Sequence, residues 1–230
     1  MQKKVVLSLL LSIAIVLGFV TWAIVNTHLE KPSFIEEKDP NLTESERKVA
    51  EDRLFIIKKT IQDQSNAANE DKSGLYLNLG TQLSLLGRLK ESQDAFDKAK
   101  ELNPMDANVF VANSALRLDR GDNDGARADI KKAIELRKND AEVWKRYIAL
   151  EQKLDASNET INSLYIEAQM STNLNVDILT TYAKWLESVE NLQSAKEYWQ
   201  KALAANPSGK SLYDKEIKRL DELLKVQNAQ

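Results

Sequence analysis

The feature that most constrains the fold is a recurrence of similar residues every 34 positions. Gly87 and Gly121 are separated by this interval, and so are Ala99 and Ala133. Each interval contains two runs of apolar residues at helical spacing. A unit of this length cannot bury its apolar face alone, so the period predicts a row of similar helical units that stack on one another.

Four units account for the recurrence. The predicted units are 73–106, 107–140, 141–175 and 176–209. The third is irregular, because it lacks the glycines of the first and has one extra residue near Ala156–Asn158. Its position follows mainly from the register of its neighbours.

The first unit places its residue types in a fixed order. The ordered positions are Tyr76, Leu79, Gly80, Leu83, Gly87, Phe96, Ala99 and Pro104. This order resembles the tetratricopeptide repeat, with Ser92 in place of an expected alanine. The second and fourth units follow the same pattern closely. The resemblance implies an all-α fold, namely a right-handed α-solenoid of helix-turn-helix repeats.

Small and bulky positions are expected to form the core between the helices. The small ones, where helices approach closely, are Gly80, Ser114, Ala183, Ala99, Ala133, Ala168 and Ala202. The bulky ones, which fill the space between units, are Phe96, Ile130, Tyr165 and Trp199. Gly87 and Gly121 are expected to end the first helix of their units with a positive φ. Pro104 and Pro207 cannot continue a helix and should separate the units.

An uncharged apolar segment lies near the N-terminus, at residues 5–25. As a helix it would be about 31 Å long, which matches the roughly 30 Å hydrocarbon core of a bilayer. We therefore expect a single transmembrane helix before the repeats. Two lysines precede it, so the positive-inside rule keeps residues 1–4 in the cytoplasm and places the repeat domain on the extracytoplasmic side of the cell membrane.

The alternative for this segment is a cleaved signal peptide. Thr21-Trp22-Ala23 loosely resembles a small-x-small cleavage site. The apolar run is longer than a usual signal-peptide core, and tryptophan suits the site poorly, so we favour an uncleaved signal anchor.

Flanking segments complete the predicted organisation. Residues 26–42 are interpreted as a linker, and residues 43–72 as an N-terminal helix with its turn. Thr43 and Glu46 form a capping-box pattern. The apolar stripe of this helix is Ala50, Leu54, Ile57 and Ile61, widened by Phe55 and Ile56. We expect the helix to pack on the first repeat, and dimerisation through it is the alternative.

Residues 210–230 are predicted to form a C-terminal capping helix. Its apolar stripe is Tyr213, Ile217, Leu220 and Leu224. Terminal repeats of a solenoid need such a cap, although a partner-binding helix is a second interpretation. Within the repeats, Asp106 and Asp140 are expected to be N-caps.

Composition argues against several classes of function. The chain has 32 basic and 35 acidic residues, so it has no basic surplus for nucleic acid. It has no cysteine and a single histidine, His28. No phosphate loop or metal-ligand cluster is present in the sequence. We therefore expect a non-enzymatic protein that needs no cofactor or metal.

The resemblance implies a concave groove lined by the first helix of each unit. Carried onto this sequence, the groove residues are Leu77, Asn78, Thr81, Leu85, Val111, Ala112, Ala115, Asp119, Lys145, Arg146, Ala149, Lys153, Thr181, Lys184 and Glu187. The first two units would be apolar or small there, and the third basic. A solvated charged face is the alternative interpretation of the lysines.

The function expected from these features is that of a membrane-anchored scaffold. Its groove would bind segments of other exported or membrane proteins, in assembly, secretion or envelope machinery. The alternative is a structural subunit that self-associates through the 43–64 helix or the transmembrane segment.

Overall fold

The computed structural model describes Ile35, Glu37, residues 41–64 and residues 66–229. Ten α-helices and one short 3-10 turn at Pro207–Gly209 make up the regular secondary structure of this part of the chain. The helices are α1 (Glu44–Asp63), α2 (Asn69–Leu85), α3 (Leu89–Leu102), α4 (Ala107–Asp119), α5 (Asn123–Leu136), α6 (Ala141–Lys153), α7 (Asn158–Ser171), α8 (Val176–Ser188), α9 (Leu192–Ala205) and α10 (Lys210–Asn228).

The helices pack in chain order. Within the units the pairs are α2 with α3, α4 with α5, α6 with α7, and α8 with α9. The first helices of the units also contact one another, α2 with α4, α4 with α6, and α6 with α8. α1 packs on α2, and α10 packs on α9. The fold is thus an all-α helical repeat solenoid, as predicted.

The predicted membrane-spanning segment, residues 5–25, lies outside the described residues. None of the helices described above is both long enough and apolar enough to cross a bilayer.

Side-chain caps set where the helices begin. The Asp106 carboxylate accepts a hydrogen bond from the Asn108 backbone N–H, and Asp140 does the same for Glu142, each at 2.9 Å. Both predicted N-caps are confirmed. Helix α2 begins at Asn69, four residues before the predicted start of the first unit. Its N-cap, Ala68, makes no side-chain hydrogen bond.

The turn inside each unit contains one residue in the left-handed region. Gly87 and Gly121 have φ of 74° and 82°, as predicted. The third and fourth units place Asp155 (φ 53°) and Glu190 (φ 61°) at the same position. The extra residue of the third unit lies just after Asp155, because residues 154–157 join α6 to α7 whereas residues 120–122 join α4 to α5.

Replacing Glu190 with glycine should stabilise the fold, because a left-handed conformation strains an L-residue and not glycine. We expect a gain of about 0.5–1 kcal/mol, or roughly 1–4 °C in Tm. Asp155→Gly should gain less stability, because aspartate tolerates the left-handed region of φ and ψ better than glutamate does. Thermal unfolding followed by circular dichroism measures the change. Glu167→Gly, inside α7, is the control and should cost about 1 kcal/mol; destabilisation by Glu190→Gly would contradict the assigned turn.

Small residues lie where the two helices of a unit cross. A Cβ atom built on Gly80 would lie 2.5 Å from Cε1 of Phe96, so the ring occupies the space that a side chain would need. The Ser92 hydroxyl donates to the Gly80 carbonyl at 2.7 Å, and Ser114 donates to the Ala126 carbonyl at 2.8 Å. The predicted small positions Gly80 and Ser114 therefore mark close helix contacts, and at both crossings a serine hydroxyl satisfies a backbone carbonyl of the partner helix.

The predicted bulky positions are buried. Phe96, Ile130, Tyr165 and Trp199 are all at most 5% exposed. Tyr165 stacks on Tyr182 with 4.7 Å between ring centroids, and Trp185 lies 5.7 Å from the Tyr165 ring. An aromatic cluster thus joins the third unit to the fourth.

Burial of this cluster predicts loss of stability at high pH. Desolvation raises the pKa of Tyr165 and that of Tyr182 from 10.0 to about 12. Between pH 10 and 12 the unfolded chain loses protons that the folded chain keeps, so the free energy of unfolding falls as the pH rises. Each tyrosine should contribute about 1.4 kcal/mol per pH unit in this window. Urea titrations at pH 9 to 11.5 measure the slope, and the Tyr165→Phe/Tyr182→Phe variant should show a shallower one. An unchanged slope would contradict the tyrosine assignment.

The two end helices bury the predicted stripes. In α10, Tyr213 and Leu220 are buried, and Ile217 and Leu224 are half-buried. In α1, Ala50 and Leu54 are buried, and Ile57 and Ile61 are half-buried. Phe55 and Ile56, which the sequence predicts to widen the apolar surface of α1, lie outside its buried face. These side chains are 70% and 61% exposed, because they project from the side of the helix that faces away from α2.

Candidate partner-binding groove

The first helices of the units carry two neighbouring cavities. The first cavity, of about 580 Å³, lies between α2 and α4. Its lining residues are Asn41, Leu42, Thr81, Ser84, Leu85, Gly87, Leu89, Phe96, Ala112, Ala115, Leu116 and Asp119. The second cavity, of about 170 Å³, lies between α4 and α6. Its lining residues are Val111, Ser114, Ala115, Leu118, Ile130, Arg146, Ala149, Leu150 and Lys153.

Ala115 lines both cavities. Its side chain is exposed, and the equivalent face of α2 presents Leu85, which is 46% exposed. The two cavities are therefore parts of one surface that runs across α2, α4 and α6. We call this surface the groove.

A buried polar network holds α4 in place beneath the groove. Asn113, which is fully buried, accepts a hydrogen bond from the Gln93 amide at 2.8 Å and donates one to the Asp129 carboxylate. Nε of Arg117 lies 2.9 Å from the same carboxylate. Burial raises the pKa of the Asp129 carboxyl, and the neighbouring positive charges of Lys100 and Arg117 oppose that shift. The network ties α3, α4 and α5 together, so the groove residues of α4 project from a fixed helix.

Nine of the fifteen predicted groove residues line the cavities. Those nine are Thr81, Leu85, Val111, Ala112, Ala115, Asp119, Arg146, Ala149 and Lys153. Leu77 is half-buried and packs with Ala112 against the cluster of Leu89, Phe96 and Leu116. Asn78, Lys145, Thr181, Lys184 and Glu187 also line neither cavity.

The predicted basic surface of the third unit is partly neutralised. Lys145 and Arg146 both pair with Glu142, at 2.8 and 2.9 Å. Hydrogen bonds from Lys145 and Arg146 lower the pKa of the Glu142 carboxyl, Lys145 having the larger effect. Nζ of Lys145 also lies 4.0 Å from the Asp177 carboxylate of α8, so the two cations and two carboxylates of this cluster carry no net charge. Lys153, which lines the second cavity, lies 3.6 Å from Asp119, which lines the first.

The groove extends beyond the predicted residues onto α1. A further cavity of about 300 Å³ between α1 and α2 shares Leu42 and Leu85 with the first cavity, and Val49 lines it too. Leu42 also packs against the cluster that contains Leu54 and Leu83. The sequence interpretation assigned Leu42 to the linker. An available signal was its position just before the N-cap Thr43, where an apolar residue commonly packs back on the structure.

No group of acidic or histidine side chains in the described residues could hold a metal ion. The groove surface instead offers apolar side chains, small side chains and solvated ion pairs, which suit contact with another chain.

Comparison with known proteins agrees with this architecture. Residues 73–105 match the tetratricopeptide repeat family. The structure of MamA is similar, with a TM-score of 0.52 and 13% identity over 74% of this chain and 98% of that one. The structure of PilF from Pseudomonas aeruginosa is also similar, with a TM-score of 0.52 and 20% identity over 70% of this chain and 71% of that one. No curated protein matches the sequence. The chain is thus a helical repeat protein that carries a tetratricopeptide repeat at residues 73–105.

Proposed function

We propose that this protein is a membrane-anchored scaffold that binds a segment of another protein in its groove. The observation that carries the proposal is the continuity of the two cavities through Ala115, which makes one surface across three helices. Tetratricopeptide domains generally act as protein-binding scaffolds, so the protein would act by equilibrium binding, without a chemical reaction.

Membrane attachment in this proposal rests on the sequence of residues 5–25, which is uncharged and long enough to span a bilayer. The repeat domain would then lie on the extracytoplasmic side of the cell membrane. Its partners would be exported or membrane proteins of assembly, secretion or envelope machinery. Confinement near the bilayer raises the effective concentration of the groove toward such partners.

Cross-linking in native membranes tests both parts of the proposal. A photo-reactive amino acid at position 115 should capture a defined partner that mass spectrometry identifies, and the same group at Ala128, exposed on α5, should not. Carbonate extraction of the same membranes should leave the protein in the pellet. Capture of nothing at position 115 would contradict groove binding, and release by carbonate would contradict the anchor.

The bound segment should have a direction in the groove. An apolar part of the partner would lie on α2 and α4, and an acidic group of the partner would lie near Lys145 and Arg146, in place of the contacts that these cations now make with Glu142 and Asp177. The Lys145→Glu/Arg146→Glu variant leaves four neighbouring carboxylates there, with Glu142 and Asp177, and should weaken binding of the captured partner at least tenfold, or about 1.4 kcal/mol.

Lys131→Glu/Lys132→Glu provides the control for this prediction, because both residues are exposed on α5 and the change in net charge is the same. Affinities from surface plasmon resonance should separate the two variants. If they bind equally well, the proposed polarity is wrong while groove binding stands.

A further inference from the structure

The face of α1 that points away from α2 carries an unusual pattern. Residues at alternating spacings of three and four lie on one side of a helix. On this outward side the exposed residues are Lys48, Asp52, Phe55, Ile56, Lys59 and Asp63, which we call the outward stripe. The buried residues Ala50 and Leu54 lie on the opposite side.

Two large apolar side chains lie at the middle of the outward stripe. Phe55 is 70% exposed and Ile56 is 61% exposed. The end helix of a solenoid usually has a polar outer face, which keeps the protein soluble. An exposed phenylalanine and isoleucine side by side are therefore unexpected for a helix whose only role is to cap the first repeat.

The charges of the outward stripe are arranged symmetrically about this apolar centre. Consider two antiparallel copies of α1 related by a two-fold axis between Phe55 and Ile56. Two residues of different copies then face each other when their numbers add up to 111. Lys48 then faces Asp63, and Asp52 faces Lys59, each pairing occurring twice. A parallel arrangement would instead place each charge against its own copy.

We propose that the outward stripe of α1 is a homodimerisation surface that packs antiparallel against the same stripe of a second copy. Phe55 of one copy contacts Ile56 of the other at the centre, and the opposite charges align the two helices. Isologous contacts of this kind are the commonest in homo-oligomers.

The size of the contact limits its strength. Helix α1 has 20 residues, so it is about 30 Å long, and one helix pair covers less than the roughly 1,600 Å² of a standard interface. The dimer is therefore weak and reversible. It leaves the groove open, because the outward stripe and the α2–α4 surface involve different residues.

Disulfide cross-linking of the full chain in detergent tests the arrangement, because the chain has no cysteine of its own. A mixture of Lys48→Cys and Asp63→Cys chains should form a mixed disulfide on mild oxidation. Neither chain alone should do so, since an antiparallel pair places two copies of either position about 22 Å apart, beyond the roughly 7 Å reach of a disulfide. Ala128→Cys, on α5, is the control for random collision.

A charge exchange tests the proposed pairings. The Lys48→Glu/Lys59→Glu chain has an all-acidic stripe, and the Asp52→Lys/Asp63→Lys chain an all-basic one. Light scattering should show that each alone dimerises at least tenfold more weakly than the natural chain, and that their mixture restores the dimer. Circular dichroism should show unchanged helix content, because all four positions are exposed.

Three results would overturn the proposal. They are disulfides formed by Lys48→Cys alone, a monomer at every concentration, and growth into polymers, which would indicate α1 packing on another surface of the next copy. Ala115→Arg should leave the dimer intact, so a failure of groove binding and a failure of dimerisation are distinguishable.

Discussion

Replacing Trp199 with alanine should cost about 3–5 kcal/mol of folding free energy, which is typical of a large aromatic residue removed from a core. Trp199 is 2% exposed and its indole N–H donates to the Glu187 carboxylate at 3.0 Å. Its ring lies 6.0 Å from that of Tyr213. The side chain therefore joins α8, α9 and α10. Urea unfolding followed by circular dichroism measures the loss, and Trp199→Phe should lose less.

The set of helices that Trp199→Ala destabilises is as informative as the free energy that the substitution costs. In a solenoid each unit contacts only its neighbours, so stability is approximately a sum of local terms. Hydrogen exchange of Trp199→Ala should lose protection first in α8, α9 and α10. Phe96→Ala, its counterpart in the first unit, should lose protection first in α2, α3 and α4. Equal loss along the whole chain in both variants would contradict the repeat architecture.

Replacing Ala115 with arginine should abolish partner binding without unfolding the protein. Ala115 is exposed and lines both cavities of the groove. A long charged side chain there would therefore overlap sterically with a partner segment bound in the groove. We expect at least a hundredfold loss of affinity, about 2.7 kcal/mol, for the partner captured in native membranes.

Ala128→Arg is the matched control for this variant, since it places the same side chain on the exposed face of α5. The melting temperatures of both variants should lie within a degree or two of that of the natural chain. Binding that survives in Ala115→Arg would show that the partner uses another surface.

Much of the fold could be predicted because its determinants are local and periodic. Gly80 had to be small, and a Cβ atom there would indeed collide with Phe96. Gly87 and Gly121 mark turns whose positive φ can be read from residue type alone. Asp155 and Glu190 adopt the same turn without glycine, so residue type gave no signal there. A left-handed φ at a residue other than glycine persists only where the surrounding structure fixes the backbone, which residue type does not reveal.

The candidate site was less predictable, because a groove depends on which side chains meet across different helices. The repeat register identified Thr81, Leu85 and Ala115 as groove residues, and all three line the first cavity. It could not show that Lys145 and Arg146 share Glu142, because an ion pair depends on rotamers and distances. It also could not show that Leu42 folds back from the linker to line the first cavity.

By itself the sequence determined the helical repeat, its period, the turns of the first two units and the small and bulky positions of the core, since each follows from residue type at a fixed spacing. Only the tertiary structure decided how the cavities join through Ala115, which charges are already neutralised, and that Phe55 and Ile56 remain exposed. The physical reason is that spacing fixes the face of a helix on which a residue lies. What covers that face depends on neighbouring helices, whose contacts are not local in the chain.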